Sequence, residues 1–237
     1  MSVNNFINTI AKYGGMSFSN NFQVKILNPP VVFNDLDTII SLFCDEAQLP
    51  NTNTAQGQYN GIYVGSGSIS YPHTRVYTEF QLGFMLDANL SSLKFLNKWM
   101  DKIFSGESQE WSDQLNNKSL AQMQAPKLRE RNRTIRLNYK DEFATTILIS
   151  KTEQGPYAPN QRAPITYVLE EAYPYAIDAI PLAYGNAQIT KVSAQFSYAR
   201  HYTVNNNITS VAGTLSGMYS DGQKKAVQQK VVPGPKK

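Results

Sequence analysis

The chain has 237 residues, of which 41% are apolar, 11% aromatic and only 17% charged; that length allows one large domain or one domain with insertions, and that apolar content excludes a disordered polymer. The formal charge is +4, but charges cancel over residues 1–200, and the excess sits in Lys224, Lys225, Lys230, Lys236 and Lys237 against Asp221, which excludes a folded body with the basic face of a duplex-DNA reader. One cysteine, Cys44, and two histidines, His73 and His201, exclude an internal disulfide framework and a cysteine or histidine metal cluster.

Residues 1–20 read as a polar N-terminal arm or a short helix, with Gly14-Gly15 breaking any helix that Phe6 to Tyr13 starts. Asn21 to Leu27 alternates, with Phe22, Val24 and Ile26 on one face, and predicts a strand that Pro29-Pro30 stops. Ile39 to Ala47 reads as a second extended run. Residues 51–70, rich in Asn, Gln, Gly and Ser with interspersed tyrosines, read as a long β-hairpin or ordered loop outside the core. Thr78 to Leu86 gives the clearest period-2 strand, and Asp87 stands where a helix cap belongs. Leu90, Leu93, Leu96, Met100 and Ile103 then predict one amphipathic helix over about 88–104, ending at Ser105-Gly106.

Residues of about 105–132 read as a polar insertion. Strands are predicted at Arg133 to Asn138 and Ala144 to Ser150, with a proline-rich loop over Gln154 to Pro164. Ile165, Tyr167 and Leu169 share one face of the next strand, which Tyr173-Pro174 breaks before Ile177 to Leu182 continues and Gly185-Asn186 turns. Ile189 to Tyr202 is the last strand, Val192, Ala194, Phe196 and Tyr198 alternating with Lys191, Ser193, Gln195 and Ser197. Beyond residue 205 the pattern is lost. Seven or eight strands with one good helix, and no helices between strands, predict a mainly β fold: an antiparallel β-sandwich or barrel with one flanking α-helix. The domain runs over 21–202, with the arm before it and a basic tail over 203–237.

No chemistry converges. Gly65-Ser66-Gly67 lacks the frame of a phosphate loop, and no G-x-S-x-G elbow is present. Glu170 and Glu171 are adjacent on a strand and are expected on opposite faces, not in one site. Cys44 reads as a small buried apolar residue, His73 as a turn residue and His201 as a strand end. No catalytic, cofactor-binding or metal site is expected, and so no enzyme. Lys127, Arg129, Arg131, Arg133, Arg136 and Lys140, opposed by Glu130 alone, form a basic run suited to phosphates or to acidic residues of a neighbouring subunit. No run of about 18 apolar residues spans a membrane. Lys12 follows the apolar residues of the N-terminus with no apolar stretch after it, so a soluble protein made in a cytoplasm is expected.

The order of elements carries a resemblance. Asn21-Asn-Phe-Gln-Val-Lys-Ile is followed by Cys44-Asp-Glu-Ala-Gln-Leu-Pro50 and a long polar hairpin. Tyr77-Thr-Glu-Phe-Gln-Leu-Gly-Phe then feeds a single helix with a tryptophan near its end, and Glu171-Ala-Tyr-Pro174 precedes the closing Val192-Ser-Ala-Gln-Phe-Ser-Tyr198. Over about residues 20–202 this resembles the tail tube proteins of contractile-tailed, T4-like bacteriophages and the related baseplate proteins that initiate the tube. The resemblance implies hexameric rings whose inner strands close one large β-barrel. It also implies stacking of those rings, sheath and baseplate partners, and a channel passing double-stranded DNA without sequence recognition. It places the protein in the virion tail, assembled in the host cytoplasm. The insertion and tail leave a tube initiator as the alternative to the major subunit.

On that premise Lys191, Ser193, Gln195 and Ser197, with Glu79 and Gln81, are expected to face the lumen. Asn51, Asn53, Gln56, Gln58, Tyr59 and Tyr63 belong to the expected ring-to-ring loop. Two other classes stay open: a single-stranded nucleic-acid-binding β domain using Arg129 to Lys140, and a carbohydrate-binding sandwich using Tyr59, Tyr63, Tyr71 and Tyr77.

Overall fold

The computed structural model describes residues 2–12, 15–31, 35–60, 67–105, 136–153, 164–182, 184–185 and 188–217. The elements are α1 (Val3–Lys12), β1 (Phe22–Leu27), α2 (Leu36–Phe43), β2 (Cys44–Ala47), β3 (Asn53–Tyr59), β4 (Ile69–Val76) and β5 (Phe80–Met85). There follow α3 (Ser91–Ile103), β6 (Phe104–Ser105), β7 (Arg136–Leu137), α4 (Lys140–Phe143), β8 (Thr145–Lys151), β9 (Ile165–Ile177), β10 (Lys191–Ser197) and β11 (Arg200–Val204). A last helix, α5, covers residues 208–217. The expected insertion, the Gln154–Pro164 loop apart from Pro164, and the tail beyond residue 217 lie outside the described residues.

Of the seven strands of the main sheet, six follow one hydrogen-bonded path, β1-β8-β9-β10-β5-β2, and β11 pairs with β9 off that path. Every pairing is antiparallel. The thirteen-residue β9 makes this two layers. Its first half pairs with β8 and β11, and its second half with β10. Between the halves Glu171 has a φ of 54°, a conformation costly for a side-chain residue, which turns the strand from one half-sheet into the other. Tyr173-Pro174 therefore does not break the strand. Pro174 faces Phe196 where the β9–β10 register shifts, the kind of irregularity where a missing N–H is tolerated.

The half-sheets close on one core. Val24, Ile26, Ile147, Ile149 and Leu169 come from β1, β8 and β9; Phe80, Leu82, Phe84, Val192, Ala194 and Phe196 come from β5 and β10. Helix α3 fills one flank with Phe95, Leu96 and Trp99. Trp99 is fully buried, its Nε1–H donates to the Phe143 carbonyl at 2.8 Å, and its ring meets Phe196 edge-on at 5.8 Å. The buried stripe of α3 is thus Ser92, Phe95, Leu96, Trp99 and Ile103; Leu90 is exposed, and Leu93 and Met100 flank the stripe. The helix begins later than 88 because Leu90 is left-handed, at a φ of 55°. The N-cap is therefore Leu90 and not Asp87, though Asp87 accepts from Ser91 N–H at 2.6 Å and Ser91 Oγ at 2.8 Å, and these bonds hold its carboxyl below the usual range.

Further expectations are corrected. Ile39–Ala47 is not one strand: α2 occupies its first part and only Cys44–Ala47 is extended. Ile40 enters the core from the helix, so burial outweighed the β-propensity of Ile39-Ile40. Ile189–Tyr202 divides into β10 and β11, matching the bend in β9, and Ile177–Leu182 contributes only Ile177 to a strand. Most consequentially, the flanking helix is not alone. Helix α5 lays Ile208, Val211 and Ala212 against Leu27, Leu148 and Val168 on the outer face of the first half-sheet. That face is therefore buried on both sides, and six consecutive residues of β8, Thr145 to Ser150, are buried. The path ends at β1 and β2, so the described strands form an open two-layer sandwich and not a closed barrel. No described helix is long and apolar enough to cross a membrane.

Candidate assembly surfaces

The second half-sheet, β9-β10-β5-β2, is covered on one face only. Along β10, Val192, Ala194 and Phe196 are buried, while Ser193, Gln195 and Ser197 on the other face are half-buried and Lys191 is exposed. The register sets Gln195 opposite Gln81, Ser193 opposite Gly83 and Lys191 opposite Met85. Glu79 is exposed just before β5. All six residues expected on this face thus lie along two paired strands or the entry to one.

This face neutralises its own cation. Lys191 forms an ion pair with Asp45, which raises its proton affinity. Gly83 leaves room for that: a Cβ there would meet the Glu46 Cβ at 3.0 Å and Asp45 Oδ1 at 3.3 Å. Tyr175 donates its hydroxyl to Gln195 Oε1 at 2.6 Å. Partial burial first, then Glu79 and Asp178, push that hydroxyl's pKa up. With Lys191 committed to Asp45, the carboxylates of Glu46 and Glu79 leave the face with a negative balance.

The hairpin β3–β4 is the second surface. Its strands pair with each other alone among the described residues. Every residue of β4 is exposed, and β3 is exposed apart from Ala55 and Gly57, which are half-buried. Asn53 pairs with Val76, Gln56 with Pro72, Gln58 with Ser70 and Tyr59 with Ile69. Pro72 sits where the register shifts, again an irregularity suited to proline. Tyr71 lies across from Gly57, its ring filling the space a side chain there would take. Tyr63 lies outside the described residues. His73 is inside β4, bonded to Thr74 Oγ1 at 2.8 Å, and not in a turn.

The hairpin is anchored at its base, a feature sequence reading missed. Asn51 accepts a hydrogen bond from the Thr78 hydroxyl. Thr52 Oγ1 lies 3.3 Å from Nε2 of His201. His201, near the start of β11, is buried, with Tyr77 and Tyr198 edge-on at 5.2 Å and tilted at 5.7 Å. Burial, and secondarily Arg75, lower its pKa. The aromatic spacing around residue 77 carried no periodic signal, because these partners come from three separate elements.

The expected basic patch is not brought together. Lys127, Arg129, Arg131 and Arg133 lie outside the described residues. Arg136 is in β7. Lys140 is paired with Glu171 at 2.5 Å. Glu170 pairs with Arg200. Contrary to strict alternation, Glu170 and Glu171 line the same open cleft of about 500 Å3, beside Asp141 and Thr145, because the positive φ at Glu171 resets the face. Both carboxylates are taken up in ion pairs. Cys44 is half-buried, and burial pushes its thiol up to about 12, out of the nucleophilic range. Among the described residues no group of His, Cys, Asp and Glu could hold a metal ion.

The family described as phage tail tube protein matches residues 17–204. No curated protein sequence matches the chain significantly. Among solved structures, an anti-feeding prophage baseplate chain is 11% identical over 82% of this chain and 99% of its own, with a TM-score of 0.48. A chain of the PVC sheath-tube complex of an extracellular contractile injection system is 11% identical over 86% and 99%, at 0.44. An Hcp protein is 10% identical over 78% and 99%, at 0.35.

Proposed function

The chain belongs to the phage tail tube protein family, a family of structural subunits, and from that premise we propose that it forms hexameric rings that stack into the inner tube of a contractile tail. The observation that carries this is the half-sheet β9-β10-β5-β2. It is apolar towards the core, polar on its other face, and bounded by two outer edges, β2 and residues 173–177 of β9, that carry no ladder partner among the described residues. Free edges are a liability unless something consumes them. In this half-sheet β2 and β9 run in opposite directions. A copy brought round by rotation therefore offers its β9 antiparallel to the neighbour's β2, and the ladder continues into a closed ring.

The polar face then lines the channel. Lys191 is committed to Asp45, so Ser193, Gln195, Ser197 and Gln81 present hydrogen-bonding groups without free cations, and Glu79 adds a negative charge. Such a wall does not release counterions from DNA, and the duplex slides instead of sticking. The hairpin β3–β4, with Asn51 at its base and Gln56, Gln58 and Tyr59 along it, is the contact between rings: a two-stranded hairpin without a core is marginal by itself and gains its order from a partner. Sheath and baseplate proteins are the expected neighbours outside the tube, and double-stranded DNA the cargo inside, within the virion tail after assembly in the host cytoplasm. The chain acts as a structural subunit and not as an enzyme.

Helices α1 and α5 lie beyond the matched residues 17–204, which favours, as a second reading, a tube initiator with additions for baseplate partners. Negative-stain electron microscopy of the purified protein at rising concentration tests both. Open-ended tubes support the major subunit, and single rings that never stack support the initiator. A monodisperse monomer that binds single-stranded DNA overturns the tail reading.

A further inference from the structure

The β3–β4 hairpin is attached to the sandwich through a buried histidine. His201 is the second residue of β11 and pairs with the core residue Leu169 of β9. Arg200 and Tyr202 on either side of it are exposed, so of the three only His201 turns inwards. It is 6% exposed, within a shell of Tyr77, Tyr198 and Tyr167 whose ring centroids lie at 5.2, 5.7 and 6.1 Å. Both arms of the hairpin meet this ring. Thr52, at the entry to β3, holds its hydroxyl 3.3 Å from Nε2, and Tyr77, at the exit of β4, packs edge-on. Strands β3 and β4 pair with nothing else among the described residues, so the hairpin depends on this base for its orientation.

The same ring is badly placed to take a second proton. Nδ1 is buried and has no hydrogen-bond partner among the described residues, and the same holds for the hydroxyl of Tyr198. A neutral imidazole has one donor and one acceptor; an imidazolium has two donors and a charge, and here one charged N–H would stay unpaired in the interior. The surrounding groups supply no counter-charge. Arg75 on β4 is a like charge, and with burial as the larger cause it lowers the proton affinity of His201. The three tyrosines are uncharged over the range where histidine titrates. Glu170, next to Leu169, lines the outer cleft instead and is paired with Arg200.

We infer that His201 is an acid-release latch: proton uptake turns the imidazole out to water, breaks the Thr52 and Tyr77 contacts together, and frees the hairpin base while the two-layer core stays folded. The core persists because β8, β9, β10 and β5 pair without the hairpin. The opened latch carries an ordinary histidine, with a midpoint of about 6.5. The closed form is therefore favoured in full above about 6.5, and each pH unit below it shifts the closed-to-open ratio about tenfold towards open, until the closed-state midpoint is reached. A hairpin without a core is marginal by itself, so little of this shift is absorbed. The latch is a property of the single subunit. Its consequence, that acid withdraws the hairpin from ring stacking, rests on the tube reading above.

The test is a proton NMR titration of the free full-length subunit between pH 8 and pH 5, a window above the ordinary carboxylate range. The chain has two histidines, and His73→Gln assigns their Cε1–H signals. The His201 signal should titrate below about 6.5. The amides of Thr52, Tyr77 and Thr78 should leave their folded positions with the same midpoint, while those of Ile147 and Leu148 in β8 stay. His201→Phe keeps a ring within the tyrosine shell and takes up no proton, so its base amides should ignore pH. Arg75 is exposed, so Arg75→Gln spares the fold and should raise the His201 midpoint. Sedimentation should show wild-type stacking needing about tenfold more protein at pH 5.5 than at pH 7.5, and His201→Phe stacking alike at both. A His201 midpoint at or above 6.5, or base amides that ignore its titration, overturns the latch whether or not tubes form. Opening of the base without any change in wild-type stacking overturns the consequence for assembly. Wild-type protein that forms neither rings nor tubes at pH 7.5 overturns the tube reading, and the titration then decides the latch on its own.

Discussion

Replacing Trp99 by phenylalanine isolates one hydrogen bond in the core from the packing around it. The phenyl ring keeps most of the contact with Phe95 at 5.4 Å and Phe196 at 5.8 Å. What disappears is the Nε1–H donor to the buried Phe143 carbonyl. Leaving such an acceptor unpaired costs about 1–3 kcal/mol. A domain of this size loses about 2–4 °C of Tm per kcal/mol, so Trp99→Phe should melt roughly 2–12 °C below wild type. Trp99→Ala removes the ring as well. Large-to-small truncation of a buried aromatic adds about 3–5 kcal/mol, a total comparable with a whole domain stability of about 5–15 kcal/mol. The assay is thermal unfolding followed by far-UV circular dichroism. Because Trp99 packs on Phe196 behind β10 and is not itself part of a strand edge, Trp99→Phe should still form rings at low temperature. A Trp99→Phe Tm within about 1 °C of wild type would refute the reasoning that this bond ties α3 to α4.

Hydrogen exchange should find the β3–β4 amides nearly unprotected in free subunits, while β8 and β9 exchange only by global unfolding; assembly should then protect the hairpin selectively. Equal protection of hairpin and core in the free subunit would end the view that the hairpin is ordered by its partner. Gln195→Lys with Ser193→Lys should leave folding nearly intact, at a cost of about 1 kcal/mol for the lost Tyr175 bond, and impair DNA delivery by phage carrying it; normal infectivity would remove this face from the channel. Glu153 accepts bonds from Lys151 Nζ, the Ser17 hydroxyl and Asn21 Nδ2, which lower its pKa from 4.5 to about 2. A depressed carboxylate stabilises above its unfolded pKa. The tether of residues 17–21 should therefore hold at neutral pH and loosen as pH falls from about 4.5 towards 2. Glu153→Gln should abolish that pH dependence, read from amide protection of Phe18, whose N–H donates to Glu153 at 3.1 Å.

Strands with one clear core-facing row were legible because alternation is a local signal: β5 and β10 could be read from Phe80 and Phe196 and their neighbours, and β1 from Val24 and Ile26, although its Leu27 is also buried on the other face. The polar segment 51–70 was legible only as a hairpin or an ordered loop, because its side chains lack any core-facing pattern, and the return strand β4 runs on beyond it to Val76. Strand β8 was placed correctly, but its burial on both faces was not foreseen, since that depends on α5, whose Ile208, Val211 and Ala212 are too few to announce a helix. Ile39-Ile40 misled for the opposite reason: β-branched residues carry a weak local preference that packing of Ile40 into the core overrode.

The candidate surfaces divide the same way. The composition of each surface, polar along β10 and nearly uncharged along the hairpin, was fixed in the amino-acid order and needed no coordinates. Which surfaces meet, which edges stay open and which charges are spent were decided only by the fold. Lys191 is neutralised by Asp45, a residue 146 positions earlier in the chain. Glu170 and Glu171 reach one cleft because a single backbone angle departs from the strand. His201 is buried because Tyr77 and Tyr198 arrive from other elements. A local pattern reports which face of an element seeks burial, through the periodicity of its own side chains. It carries no information on what another element brings to the opposite face, because that is set by long-range pairings whose entropic cost the whole core offsets together.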